Sequence, residues 1–87
     1  MSGQAMQVQI KLFAGAKQLA GADSVTVEVP RSPATVAELR HALLAERPEL
    51  AGVLKHALFA IGAQYATEAS QVQPGDEVAC IPPVSGG

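Results

Sequence analysis

Met6, Val8, Ile10 and Leu12 alternate with Gln7, Gln9 and Lys11. This period-two pattern predicts a strand with one buried face. Phe13 breaks the alternation and is expected to emerge on the other face. Ala14 to Gly21 reads as a connector with one helical turn around Leu19. Val25, Val27 and Val29 then alternate with Ser24, Thr26 and Glu28, a second strand closed by Pro30, which cannot donate to a ladder. The two strands are expected to form a hairpin with a long loop.

Thr35-Val36-Ala37-Glu38 is a capping-box sequence. The threonine hydroxyl can accept from the amide three residues on, while Glu38 reaches back to the Thr35 amide. Pro33 keeps the preceding chain extended. Val36, Leu39, Leu43 and Leu44 recur at helical spacing, with Arg40, Glu46 and Arg47 largely on the opposite side, and the helix ends before Pro48. Glu49 to Lys55 fits a short second helical segment directing Leu50, Val53 and Leu54 inward. Ala57-Leu58-Phe59-Ala60-Ile61 reads as a strand, Gly62 to Ala66 as a tight turn into an edge strand around Tyr65, Pro74-Gly75-Asp76 as a turn, and Glu77 to Ile81 as a last strand stopped by Pro82-Pro83.

Hairpin, helix, strand, short strand, strand is an α+β order. A β-grasp, or ubiquitin-like, fold satisfies it in few residues: a mixed sheet covered by one main helix. The expected organisation is a loose extension over residues 1–5, one domain over 6–82, and a flexible tail over 83–87.

Composition narrows the function. Apolar residues make up 48% of the 87-residue chain but aromatics only 3%, so aliphatic side chains must fill the core and little is left to stack on bases. A net charge of −2 gives no phosphate-tracking surface, so no nucleic-acid partner is expected. No apolar run approaches a membrane span and the first residues lack the features of a signal peptide, so no membrane partner is expected and the cytoplasm is the expected location. The single cysteine, Cys80, excludes an internal disulfide.

Side-chain chemistry is sparse. Cys80 lies in a predicted strand with no histidine nearby in sequence and reads as a packing residue. His41 and His56 are too far apart in sequence to complete a metal site with one cysteine, so no metal is expected. Glu46 and Glu49 read as a charged helix end. No Gly-Lys-Ser/Thr follows the glycines, so there is no phosphate loop.

The end of the sequence is more informative. Pro82-Pro83-Val84-Ser85-Gly86-Gly87 places a carboxylate on a glycine preceded by a glycine. Such a thread fits a narrow active site where a Cβ would clash. Six residues reach at most about 20 Å, and the two prolines stiffen the base. The carboxylate is ionised at neutral pH and must be activated, for instance as a mixed anhydride with AMP, before it can exchange oxygen for sulfur.

At this point the chain resembles a known family. Asp76 to Gly87, Leu12-Phe13-Ala14 with Lys17 to Gly21, and Ala34 to Leu39 resemble the small, sulfur-carrying subunit of molybdopterin synthase, a ubiquitin-like sulfur carrier of the MoaD/ThiS type. The resemblance runs from about Met6 to Gly87, and the Pro-Pro-Val-Ser-Gly-Gly ending is its most specific part. It implies a cycle in which a ubiquitin-activating-type adenylyltransferase uses ATP and magnesium to adenylate Gly87. A sulfurtransferase or cysteine desulfurase then supplies sulfur for a Gly87 thiocarboxylate. Pro83, Val84, Ser85, Gly86 and Gly87 would enter the large synthase subunit, where sulfur passes to cyclic pyranopterin monophosphate to form the molybdopterin dithiolene. Family synthases are heterotetramers, and the small subunit supplies no catalytic side chain.

The resemblance also implies a partner face of Phe13, Lys17, Tyr65, Ile81 and Pro82. Ordinary core is the alternative reading for Phe13 and Ile81, whereas Tyr65 sits on a predicted edge. Two positions depart from the family pattern: Gly62 stands where asparagine is common, and Lys17-Gln18 where arginine-glutamate is common. Other readings stay open: a sulfur carrier for thiazole or sulfur amino acid synthesis, a ubiquitin-like modifier joined to lysines through Gly87, or an interaction module with an inert tail.

Overall fold

The computed structural model describes residues 5–83; the tail positions Val84, Ser85, Gly86 and Gly87 lie outside the described residues, as do residues 1–4. Strand β1 (Met6–Leu12) pairs antiparallel with β2 (Ser24–Val29) in an unbroken register from Met6 opposite Val29 to Lys11 opposite Ser24. The alternation works as read: Met6, Val8, Ile10, Leu12, Val25, Val27 and Val29 are all buried. Each such side chain removed from water stabilises the fold by roughly 1.5–3 kcal/mol before entropy is counted.

The connector between these strands is more ordered than its sequence suggests. Ala14–Ala20 forms a helix, α1, of two turns rather than one. It closes on Gly21, whose φ of 68° is left-handed and whose amide donates to the Lys17 carbonyl at 3.0 Å. Only Ala16 of this helix is buried, so its apolar periodicity is nearly silent.

Helix α2 (Val36–Glu46) starts at the capping box. The Glu38 amide donates to Thr35 Oγ1 at 3.2 Å and the Thr35 amide donates to Glu38 Oε1 at 2.9 Å. The next two free amides are satisfied by a loop: Val36 donates to the Ser70 carbonyl and Ala37 to that of Glu68. Val36, Leu39 and Leu43 are buried, whereas Leu44 sits at the rim, exposed. A 3-10 turn (Pro48–Leu50) and a short helix α3 (Ala51–Leu54) follow, seating Leu50 and Leu54 in the core.

Arg40 does not lie on the solvent side, as its helical position predicts. Its Nη1 donates to the carbonyls of Leu54 and, at 2.9 Å, Ala57, while Nε and Nη2 engage the Glu68 carboxylate. The guanidinium carbon lies 4.9 Å from the centre of the Phe59 ring. One side chain thereby ties α2 to the end of α3, to the start of the next strand and to the loop that caps α2.

Strands β4 (Leu58–Ile61), β5 (Gln64–Ala66) and β7 (Val78–Ile81) complete a five-stranded mixed sheet of order β2-β1-β7-β4-β5. β7 is central, parallel to β1 and antiparallel to β4. Two residues each of β3 (Ala34–Thr35) and β6 (Gln71–Val72) form a second, antiparallel sheet absent from the sequence reading. Strands so short carry no periodicity. This mixed sheet, with helix α2 packed across one face, is the expected β-grasp. No helix among the described residues is long and apolar enough to cross a membrane.

Candidate functional site

Successive side chains of a strand face opposite sides, so the register assigns the outer face of the sheet residue by residue. Leu58 stands opposite Ile81 on the β4–β7 ladder, and Ala60 opposite Ala79. Tyr65 stands opposite Ala60 on the β4–β5 ladder. On the other side of β7, Leu12 is in register with Cys80, and one further step brings Phe13 beside Ile81. The Phe13 amide continues the ladder by donating to the Cys80 carbonyl at 3.2 Å.

Two rows result: Leu58, Ile81 and Phe13 in one, Tyr65, Ala60, Ala79 and Lys11 in the next. Phe13, Leu58 and Tyr65 are 45%, 51% and 70% exposed, and Ile81 is half-buried between them. Phe13 and Ile81 are therefore surface residues rather than core. Phe13 marks a corner: its own backbone is extended, but Ala14 turns left-handed at φ 52° and the chain enters α1 at once.

The rest of the outer face is polar. Gln7, Gln9, Thr26 and Glu28 are exposed there, and Gln9 Nε2 donates to Ser24 Oγ at 3.1 Å. The apolar side chains are thus confined to the half of the sheet around the end of β7. A contiguous exposed apolar patch on a small domain marks a contact surface.

The other sequence-predicted positions fall around this patch. Lys17 projects from α1 and makes an exposed ion pair with Asp23 at 3.0 Å, a contact of little net energy. Pro82, directly after β7, is buried. Pro83, next in line, is exposed. Gly62 adopts the left-handed φ of 60° that its turn needs, and its amide donates to the Glu77 carbonyl at 2.8 Å. Leu58 was missed. Its signal lay in the apolar run: with Phe59 facing the core, strand alternation sends Leu58 outward.

The one cysteine is not built for covalent chemistry. Cys80 is fully buried, and burial pushes its thiol up to about 11, against a smaller opposing effect of the Arg40 charge. A thiol held protonated at neutral pH is a poor nucleophile. No group of three or more His, Cys, Asp or Glu among the described residues could hold a metal ion. What the geometry offers is a binding surface of apolar side chains around the end of β7.

Comparison with known proteins agrees in kind. The chain is 36% identical over 84 residues to the human molybdopterin synthase sulfur carrier subunit, covering 93% of this chain and 94% of that one. It is 34% identical over 82 residues to the Arabidopsis thaliana subunit of the same name, covering 94% and 84%. The crystal structure of SAMP1 from Haloferax volcanii superposes with a TM-score of 0.79 at 33% identity, covering 97% of this chain and all of that one. The ThiS family model matches residues 10–87, and with relatives alike over nearly their whole length the chain belongs to the ThiS family.

Proposed function

We propose that this chain is the sulfur carrier subunit of a molybdopterin synthase, working through the carboxyl group of Gly87. The observation that carries the reading is the placement of the apolar patch. Phe13, Leu58, Tyr65 and Ile81 surround the end of the central strand, from which the Gly86-Gly87 segment continues. A partner that closes on this patch receives the chain end at a fixed origin. From Pro83 the four remaining residues reach at most about 14 Å, enough to enter a pocket in that partner.

The chemistry follows from the carboxylate. Its oxygen attacks the α-phosphorus of ATP on an adenylyltransferase that binds magnesium, and pyrophosphate leaves. Sulfur delivered as a persulfide by a sulfurtransferase or cysteine desulfurase adds to the acyl carbon and expels AMP. Reductive cleavage of the resulting acyl disulfide by a thiol leaves the thiocarboxylate. In the large subunit the thiocarboxylate sulfur forms a C–S bond to a side-chain carbon of the pterin precursor as a C–O bond at that carbon breaks. Water then cleaves the acyl–sulfur link, leaving the sulfur on the pterin and returning the carboxylate; two carriers in turn supply the two sulfurs of one dithiolene. Glycine at both final positions leaves each acyl exchange unhindered by a neighbouring Cβ.

The test is reconstitution with an adenylyltransferase, ATP and magnesium, a sulfur donor, a large subunit and cyclic pyranopterin monophosphate, scoring dithiolene formation together with the intact mass of the carrier. Replacement of one oxygen by sulfur and loss of product on deleting Gly87 are expected. Lysine conjugates without dithiolene would establish the modifier reading, and sulfur delivered only to a thiazole or amino acid acceptor would establish the other carrier reading.

A further inference from the structure

The opposite edge of the sheet carries a second feature. β2 is an edge strand, and its register assigns the direction of its backbone groups. The Leu12 amide donates to the Asp23 carbonyl at 2.8 Å, so this pair and every second pair after it, through Val25, Val27 and Val29, are the hydrogen-bonded ones. Ser24, Thr26 and Glu28 therefore direct their N–H and C=O groups outward, and no backbone bond joins that edge to another described residue. Proteins usually blunt such an edge with a bulge, charged side chains, proline or extreme shortness. β2 carries one charge, Glu28, and is closed by Pro30, but it has six residues in continuous register and no lysine, whereas the other edge, β5, has three.

Beside this edge, between β2 and α2, lies an open groove of about 480 Å³ lined by Glu28, Pro30, Ala37, Glu38, His41 and Ala42. Its floor is apolar. Of the two acidic residues beside it, Glu38 accepts from the Thr35 amide and from Arg31 at 2.9 Å, while Glu28, whose side chain stands on the outer face of the sheet, has no ion pair among the described residues.

We infer that the β2 edge and this groove form a second docking site, for an extended segment of a partner protein that adds a strand beside β2. Backbone pairing with Thr26 and Glu28 supplies the register. Residues of the added strand that face α2 place an aliphatic side chain in the groove, and their neighbours, on the outer face, place a lysine or arginine beside Glu28. A second copy of this chain fits less well, because the valines on the α2 side of its own β2 are already buried in its core. Along β1 the groove end, at Gln7 opposite Glu28, is about 20 Å from Phe13. The segment can bind while the tail and its apolar patch are engaged elsewhere.

The test is NMR titration of the whole chain with a capped peptide alternating lysine and valine, Thr-Lys-Val-Lys-Val-Lys-Thr. Saturable shifts at Thr26, Glu28, Ala37 and His41 are expected, with binding weaker by about tenfold or more when glutamate replaces lysine in the peptide. Glu28→Lys should reverse that preference. Thr26→Pro removes an outward donor and should abolish binding; if it disturbs the fold, Ala37→Glu, which places a charge in the groove, should do the same. Absence of saturable shifts at millimolar peptide overturns the inference. So do shifts centred on Phe13, Leu58 and Ile81, or a peptide-free dimer joined through β2.

Discussion

Leu58 and Ile81 face each other across the antiparallel β4–β7 ladder, and both project from the sheet on the side away from α2. Neither position is needed to fill the core, so their apolar character is available to a partner. Leu58→Asp is expected to weaken large-subunit binding by about tenfold to a hundredfold, the range for losing one well-buried aliphatic anchor. Calorimetric titration checks this, with Leu19→Asp on α1 as an exposed comparison outside the patch. Equal effects of the two substitutions would remove Leu58 from the contact surface.

Tyr65→Glu is expected to weaken the same association without changing thermal stability, because the ring is 70% exposed on an edge strand. Affinity that survives the added charge would place the partner elsewhere.

Arg40 satisfies the Leu54 and Ala57 carbonyls together. Arg40→Met keeps much of the aliphatic stem but leaves those acceptors without their donor. A loss of about 1–3 kcal/mol is expected in urea denaturation. Arg40→Lys, lacking the planar fork, should recover only part of it.

The capping box makes stability depend on acid. The hydrogen bond from the Thr35 amide, and after it Arg31, hold the Glu38 carboxyl below its ordinary value of 4.5. A lowered folded value means that the contribution is present above pH 4.5 and is lost as pH falls through the folded value. Glu38→Gln should flatten this part of the stability profile, and Thr35→Ala should cost about 1 kcal/mol at neutral pH.

Cys80 gives the opposite, alkaline signature. Its folded value of about 11 lies above the ordinary 9.0, so stability should decline as pH rises from about 9 towards 11. Cys80→Ala should remove that decline while lowering stability at neutral pH through the cavity left behind. The native thiol should resist alkylation at pH 8 and react on unfolding.

Much of this was legible from residue pattern. Alternation placed β1 and β2, and Thr35 with Glu38 placed the start of α2, because one buried face and one cap each leave a local mark. Helix α1 left almost none, having a single buried residue; Gly21 as its left-handed stop was the available signal. The β3–β6 pair depends on a long-range contact between two-residue strands. Arg40 sits at a helix position where charge usually means solvent, and only the folded chain brings the Leu54 and Ala57 carbonyls within its reach. The patch was partly legible through Phe13, Tyr65 and Ile81, while Leu58 was hidden in an apolar run.

The strand that leads into the tail is interior to the sheet, held by β1 on one side and β4 on the other. Traction applied to the chain end cannot peel such a strand away one bond at a time. Against an anchor on β1, its parallel neighbour, the load becomes shear, and a whole ladder must yield at once. A partner can tug on the thread without unravelling the body that presents it.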